Sequence, residues 1–247
     1  MAINKNSTGF TILFAVLMVI IVGGILSFTA MKLKPMQEKN DRVKKMADIL
    51  NALKLDADRS NAEELFEEYI SNTMVLNHKG EPVEGELEAF DINVRQQFRD
   101  KALSDEEKFY PLYMAELDGK KYYVVPMVGK GLWGPIWGFV SLESNLNEIY
   151  GASFDHEGET PGLGAEINTD AFESQFDGKE ILNEEGEMVS VLVRKGGALE
   201  GNDHQVDGIT GGTITSNGVT EMLDRTFGLY NQYFKNLRSN GQMTSIE

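Results

Sequence analysis

Hydrophobic residues are spread unevenly along this 247-residue chain, and the densest run lies near its amino terminus. Residues 6–31 carry no charge, and residues 10–30 (FTILFAVLMVIIVGGILSFTA) are almost wholly apolar. As a helix this run would be about 32 Å long, which is enough to cross a hydrocarbon core of about 30 Å. It is longer than the hydrophobic region of a typical signal peptide, and only Lys5 precedes it. We therefore predict a retained transmembrane helix at 10–30, after an amino-terminal tail at 1–9.

Helical periodicity continues after this apolar run. In residues 31–55 the apolar side chains recur at intervals of three and four, which predicts an amphipathic stalk helix. A second helix is predicted at 61–73, with Asn61 as its cap and two glutamates in its first turn. A shorter helical or irregular stretch follows at 92–101. A last stripe of helical spacing, at 219–237, predicts a terminal amphipathic helix.

The middle of the chain has a different pattern, with short apolar runs rich in β-branched and aromatic residues. Runs at 112–117 and 121–128 flank the pair Asp118-Gly119, which is a strong signal for a β-hairpin. Further strands are predicted at 136–144 and 188–194.

Taken together, these elements predict an α+β protein. A single amino-terminal transmembrane helix is followed by one domain at 56–240, in which helices come first and last and an antiparallel sheet lies between them. A short carboxyl-terminal tail is predicted at 241–247.

The amino-acid composition excludes several classes of function. Lys and Arg number 23 against 39 Asp and Glu, a formal net charge of -16, and this repels nucleic-acid backbones. We therefore expect no nucleic-acid partner. The chain has no cysteine, which excludes disulfides, iron–sulfur clusters and a cysteine nucleophile. Its three histidines are far apart in sequence, and no metal site is predicted.

The charges around the apolar run leave its orientation open. More cations follow the run than precede it, and positive-inside counting would keep the large domain in the cytoplasm. Long domains, however, are translocated largely regardless of such charges. The cations that follow are Lys32, Lys34, Arg42, Lys44 and Lys45.

Three glycine-rich segments are candidates for chemistry. Residues 129–138 (GKGLWGPIWG) are either a turn with packed aromatics or an aromatic wall against a flat ligand. Residues 155–164 (DHEGETPGLG) are either an ordinary loop or one whose backbone amides approach a ligand closely. Residues 207–219 (DGITGGTITSNGV) lead into the terminal helix near Thr215. They are either a capped helix start without a ligand or a site for a phosphate, because a helix N-terminus attracts anions.

The stretch 204–219 (HQVDGITGGTITSNGV) resembles the flavinylation segment of NqrC, the C-type member of the bacterial sodium-translocating NADH:quinone reductases. That family has Asp, two variable positions, Ser or Thr, Gly, Ala and Thr, and the matching residues here are Asp207, Thr210, Gly211, Gly212 and Thr213. Gly212 departs from the usual alanine. The segments GKGLWG, ETPGLG and KGGA occur in the family's order at 129–134, 159–164 and 195–198. His156 does not match the family's histidine spacing, and no role is carried onto it.

The resemblance implies that Thr213 carries FMN through a phosphodiester. No base is evident beside Thr213, so self-modification is not expected. The resemblance implies that a separate, metal-dependent flavin transferase takes the FMN from FAD. Leu163 and Trp133 are candidates for packing against the flavin ring, and Lys195 for opposing the phosphate. The other residues expected to bind the cofactor are Leu132, Gly134, Glu159, Thr160, Gly162, Gly164, Asp207, Thr210, Gly211, Gly212, Ile214 and Thr215.

The implied function is electron relay through this FMN in a membrane complex of six different subunits that oxidises NADH, reduces ubiquinone and exports sodium. The chain would have no catalytic residue of its own, since the flavin carries the redox chemistry. It would lie in the bacterial inner membrane, with the flavin domain on the periplasmic side. Two alternatives stay open: the related flavoprotein RnfG of an Rnf complex, with the same covalent FMN, and a non-redox, membrane-anchored binding or assembly module.

Overall fold

A computed structural model describes residues 7–85 and 87–239 of the chain. Residues 1–6 of the predicted amino-terminal tail and the predicted tail at 241–247 lie outside the described residues. The chain divides into two compact units, Met1–Lys44 and Lys45–Glu247. The helices are α1 (Thr8–Asn51), α2 (Ala62–Tyr69), α3 (Val94–Arg99), α4 (Asp170–Glu173) and α5 (Thr213–Ser239).

Helix α1 contains the predicted membrane span. It is 44 residues long, and its most apolar stretch has a mean hydropathy of 2.7, so it can cross a membrane by length and composition. The predicted stalk at 31–55 is helical as far as Asn51. The helix stops there because Lys54 adopts a left-handed conformation (φ 59°), and the backbone N–H of Leu55 returns to the carbonyl of Leu50.

Five antiparallel strands form one sheet in which neighbours along the chain are neighbours in space. A separate parallel pair precedes α5. The fold class predicted from the sequence, α+β with an antiparallel sheet, is confirmed. The sheet strands are β1 (Ile70–Leu76), β2 (Tyr110–Leu117), β3 (Lys120–Lys130), β4 (Pro135–Leu142) and β5 (Ile149–His156); the pair is β6 (Leu192–Arg194) and β7 (Gln205–Asp207).

The hairpin predicted at Asp118-Gly119 is present between β2 and β3. Both residues have positive φ, 51° and 76°, and Leu117 pairs with Lys120. Two consecutive left-handed residues are the signature of a type I′ turn, whose twist matches that of the flanking strands. The Asp-Gly pair therefore sets the register between β2 and β3.

Several predicted boundaries are wrong. The helix predicted at 61–73 ends at Tyr69, and Ile70–Leu76 is the edge strand β1, because pairing with β2 overrides the local helical pattern. Asn61 precedes α2 but does not cap it; its side-chain oxygen accepts a hydrogen bond from the Asp58 backbone instead. In the run at 188–194 only Leu192–Arg194 is a strand, since Ser190 has a φ of 60°.

Apolar side chains cover both faces of the sheet. On β3, Val125 and Met127 belong to the core cluster that contains the buried stripe of α5, whereas Tyr122 and Val124 belong to the cluster that contains Leu53. This alternation follows from the two-residue period of a strand. Helix α5 packs on β3, and its inner face is fully buried at Met222, Leu223, Phe227, Tyr230 and Phe234. The middle of α5 is therefore fixed by its packing on the sheet, and this packing sets the position of its amino-terminal end.

Candidate functional site

The three glycine-rich segments meet at the amino-terminal end of α5. The first forms the turn between β3 and β4, the second follows β5 and enters a short 3₁₀ helix at Gly164–Asn168, and the third opens α5. Together they enclose a cavity of about 220 Å³. Every residue that lines it was predicted from the sequence to bind the cofactor: Leu132, Glu159, Thr160, Leu163, Gly164, Gly211, Gly212, Thr213, Ile214 and Thr215.

Thr213 is the first residue of α5 and is half-buried in the cavity wall. A turn precedes it, in which the Gly212 backbone N–H donates to the Ile209 carbonyl and Gly211 has a φ of +77°. The first N–H groups of an α-helix have no partner within the helix, and together with the helix dipole they attract an anion. The Thr213 hydroxyl therefore lies where a phosphate is electrostatically favoured.

Glycine at 212, where the resemblance leads us to expect alanine, fits its surroundings. A Cβ at this position would come within 2.8 Å of Ile209 Cγ2 and 3.4 Å of the Gly164 backbone nitrogen. Alanine would therefore require the Ile209 side chain to shift. The turn at Gly212 is therefore packed between the Ile209 side chain and the backbone of the loop at Gly164.

Glu159 is a buried carboxylate in the wall of this cavity, with only 5% of its surface exposed. Its Oε1 accepts a hydrogen bond from the Trp133 backbone N–H at 2.8 Å. Its Oε2 accepts one from the Thr215 hydroxyl at 2.6 Å. The Glu159 backbone N–H donates to His156 Nδ1 at 3.2 Å, so this histidine supports the loop.

The apolar part of the wall is unusually exposed. Leu132, Leu163 and Ile214 line the cavity and are 49%, 40% and 55% exposed, respectively. Leu163 also lies over Gly211, because a Cβ at that glycine would be 2.5 Å from Leu163 Cδ2. Isolated exposed leucines are common, but several around one cavity form an exposed apolar patch, which is typical of a binding surface.

Six of the predicted residues do not line the cavity. The Trp133 side chain is 69% exposed, and its backbone N–H rather than its indole is tied to the site. Asp207 Oδ1 accepts from the Ala198 N–H at 2.6 Å, so this carboxylate closes the turn that begins at Lys195. Lys195 is exposed. The remaining three, Gly134, Gly162 and Thr210, also lie outside the lining set.

Sequence reasoning missed two contacts behind the cavity. The Ser216 hydroxyl accepts from the Ile209 N–H at 3.0 Å and so fastens the turn to the first turn of α5. His156 was given no role, yet it bonds to the Glu159 backbone. A serine in a run of hydroxyl residues at a helix start is the only local signal for the first contact. The contact between His156 and the Glu159 backbone has no such signal, because it arises only when β5 ends at His156 and the chain turns back.

Comparison with known proteins agrees with this geometry. The model of the FMN-binding domain family matches residues 131–227, a range that contains most of the first segment, all of the second and all of the third. Among similar proteins, the C subunit of the Na(+)-translocating NADH-quinone reductase of Vibrio alginolyticus is 31% identical over 240 residues, 92% of this chain and 93% of that protein. The corresponding protein of Vibrio campbellii is 32% identical over 245 residues, 92% and 94% of the two chains.

Solved structures extend the similarity to the fold. The crystal structure of the C subunit of the Na(+)-translocating NADH-quinone reductase from Parabacteroides distasonis superposes with a TM-score of 0.73 at 40% identity, and covers 87% of this chain and 98% of that one. NqrC of Shewanella oneidensis gives a TM-score of 0.69 at 26% identity over 80% and 98%. The resemblance inferred from the sequence motifs is thereby confirmed. The chain belongs to the NqrC family of Na(+)-translocating NADH-quinone reductase subunits.

Proposed function

We propose that this chain is an electron-transfer subunit of a membrane-bound Na(+)-translocating NADH:ubiquinone reductase, with FMN attached covalently to Thr213 through a phosphodiester. The observation that carries the proposal is the position of Thr213. Its hydroxyl stands at the first residue of a 27-residue helix, within a cavity whose lining comes from the three motifs of the family. Family membership, shared with relatives named as the C subunit of this enzyme, supports the same assignment.

The residues present fit an FMN. The N-terminus of α5 would help to neutralise the phosphodiester, and neither Gly211 nor Gly212 has a side chain that would block it. Leu132, Leu163 and Ile214 would cover the apolar ring system. When bound, FMN supplies the redox chemistry, because it accepts and releases electrons one or two at a time. The chain's own residues bind it, orient it and limit the access of water.

Attachment of the flavin needs a second protein. A threonine hydroxyl is a weak nucleophile unless a base activates it, and His156, the histidine of the second segment, is engaged with the Glu159 backbone. We therefore infer that a flavin transferase acts on Thr213. The Thr213 oxygen would form a bond to the FMN-side phosphorus of FAD, the pyrophosphate bond would break, AMP would leave, and the hydroxyl proton would pass to a base of the transferase.

We also propose the setting of this protein. The candidate span in α1 would anchor it in the bacterial inner membrane beside the five other proteins of the reductase. The flavin domain would face the periplasm, since long domains cross the membrane in spite of the basic residues that follow the span. An alkaline phosphatase fused to the carboxyl end should be active in intact cells, and activity only of a cytoplasmic reporter would contradict this orientation.

Intact mass tests the covalent cofactor. The full chain is expressed with its cognate flavin transferase, purified in detergent and denatured before measurement. We expect wild type and Thr213→Ser to gain the mass of FMN minus one water, and fragmentation to place it on residue 213. Thr213→Ala should gain nothing, while Thr210→Ala, which changes a hydroxyl outside the cavity lining, tests recognition of the segment separately. Covalent flavin in Thr213→Ala would overturn the assignment. Material from native membranes without flavin would instead favour an anchored, non-redox module.

A further inference from the structure

Glu159 joins all three segments of the cavity through one side chain. Its two carboxylate oxygens accept hydrogen bonds from different segments, one from the Trp133 backbone in the β3–β4 turn and one from the Thr215 hydroxyl in the first turn of α5. The residue itself belongs to the segment that follows β5. A buried carboxylate is costly unless its oxygens are hydrogen-bonded, and here each oxygen has a donor.

The neighbouring glycines leave the space that this carboxylate occupies. A Cβ at Gly131 would lie 2.5 Å from Glu159 Oε1, and one at Gly164 would lie 2.4 Å from Glu159 Oε2 and 2.4 Å from Thr215 Oγ1. Neither glycine has a positive φ, whereas Gly162 and Gly211 do. Lack of space, and not backbone conformation, therefore requires glycine at 131 and 164.

The charge of Glu159 also acts on the site. The carboxylate shares the positive end of α5 with Thr213, since Thr215 lies in the first turn of that helix. The free N–H groups of α5 favour the phosphodiester, whereas the carboxylate opposes negative charge that is added to the ring of a bound flavin, and burial strengthens this effect because the local dielectric constant is low. An electron added to a bound flavin would experience this opposition.

We propose that Glu159 is the positioning residue of the flavin cavity: it ties the three segments into their binding geometry before any cofactor is present, and its charge lowers the reduction potential of the flavin once bound. The second part rests on the proposed function. The first part concerns the protein alone, and the two can be tested separately.

The cofactor-free test measures hydrogen exchange of the Trp133 amide by NMR in the full chain without flavin. We compare Glu159→Ala with Glu157→Gln. Glu157 lies two residues before Glu159, and its exposed carboxylate pairs with Arg99, so this control removes a negative charge close by without touching the tether. Protection at Trp133 should fall about tenfold or more in Glu159→Ala, the loss expected for one hydrogen bond to a charged acceptor, and should not change in Glu157→Gln. Unchanged protection in Glu159→Ala would overturn the tether, whether or not the protein takes flavin.

The cofactor-dependent test uses Glu159→Gln made with the transferase. The amide can still accept from Trp133 and can donate to the Thr215 oxygen, so we expect covalent FMN to form while the reduction potential of the flavin rises. In Glu159→Ala we expect covalent loading to fall at least tenfold, on the order of the loss of one charge-assisted bond. A potential in Glu159→Gln equal to that of wild type and Glu157→Gln would overturn the electrostatic part. A wild-type chain that takes no flavin would contradict the proposed function but not the tether.

A double-mutant cycle separates positioning from general destabilisation. Gly131→Ala introduces a Cβ 2.5 Å from Glu159 Oε1 and 2.9 Å from Ile136 Cγ2, and Glu159→Ala removes the first of these contacts. We expect Gly131→Ala to reduce loading strongly in the wild-type background and to cause a smaller further loss in the Glu159→Ala background, where only the contact with Ile136 remains. Independent, multiplicative losses would mean that the two residues do not share this space.

Discussion

The five-stranded sheet and the loop cluster around Thr213 are held together in different ways. Alternating side chains stabilise the sheet, with one set facing α5 and the other facing the buried end of α1, as at Val125 and Val124 of β3. Backbone donors, a single carboxylate and glycines without room for a methyl group stabilise the loop cluster. The first region should respond to changes in buried volume, and the second to the addition of single atoms.

Removal of a large core side chain should have the largest effect on stability. Phe234 is fully buried on α5 and its ring packs edge-on against Tyr123, with centroids 6.1 Å apart. Phe234→Ala should lower the free energy of unfolding by about 3–5 kcal/mol, measured by denaturant titration in detergent. Leu199→Ala, at a 54% exposed position, is the control and should cost less than about 0.5 kcal/mol. Similar losses in both variants would contradict the assignment of this core.

A single methyl group should damage the loop cluster more than its size suggests. Gly164→Ala would place a Cβ 2.4 Å from both Glu159 Oε2 and Thr215 Oγ1, and we expect a loss of about 1–3 kcal/mol together with loss of covalent FMN. The matched control is Gly158→Ala in the same loop, where a Cβ would meet no atom within 4 Å. Equal flavin loading in the two variants would remove the distinction between the regions.

The pH dependence of stability should reflect a carboxyl group outside both regions. Burial raises the pKa of Glu173 to about 7, against a hydrogen bond from the Phe154 backbone that lowers it, and the carboxylates of Asp170, Asp48 and Asp155 raise it further. The folded state therefore favours the protonated group. The contribution of the protonated Glu173 to the free energy of unfolding is complete below about pH 4.5 and is lost as the pH rises through about 7.

Glu173→Gln keeps a neutral side chain at every pH and should remove this loss. The variant should be more stable than wild type by about 1–2 kcal/mol at pH 8, a figure reduced for the partial exposure of the group, and the difference should shrink toward pH 5. Parallel unfolding curves at the two pH values measure it. A constant difference across this range would show that Glu173 does not titrate there.

The smallest effect is expected at a glycine of the sheet region. Gly119 has a φ of 76°, and a Cβ there would contact nothing within 4 Å. Gly119→Ala should therefore cost only about 1 kcal/mol, from backbone strain alone, with no change in flavin loading. Comparison with Gly164→Ala separates the two reasons for a glycine. A loss of loading in Gly119→Ala would mean that the hairpin and the cavity are coupled.

Much of this architecture follows from local pattern. The sequence predicted the Asp118-Gly119 turn, the terminal helix and the residues that line the cavity. Each of these can be recognised from short local segments, by turn residues, by helical spacing or by motifs. Strands β1 and β5 were missed, since Ile70–Leu76 has polar residues near its start and Ile149–His156 alternates weakly; each is a strand because it pairs with a neighbour.

The function of individual site residues was harder to predict. Glu159 was expected to contact the cofactor, and the structure shows a carboxylate whose two oxygens hold other segments of the chain. Asp207 was expected to bind the cofactor, which stays a prediction, and its Oδ1 accepts a hydrogen bond that closes the turn at Ala198. Both roles depend on distances between segments far apart in sequence, and a motif records only which residues are present.

Helix α5 runs without interruption from Thr213 to the aromatic rings of the core. A chromophore esterified to its first residue would have its attachment point fixed in the folded body, so only the single bonds of the phosphodiester and of the cofactor's own side chain would let the ring move relative to that body. The distance over which an electron tunnels to a neighbouring centre would then vary by no more than the reach of this linker unless the body as a whole reorients.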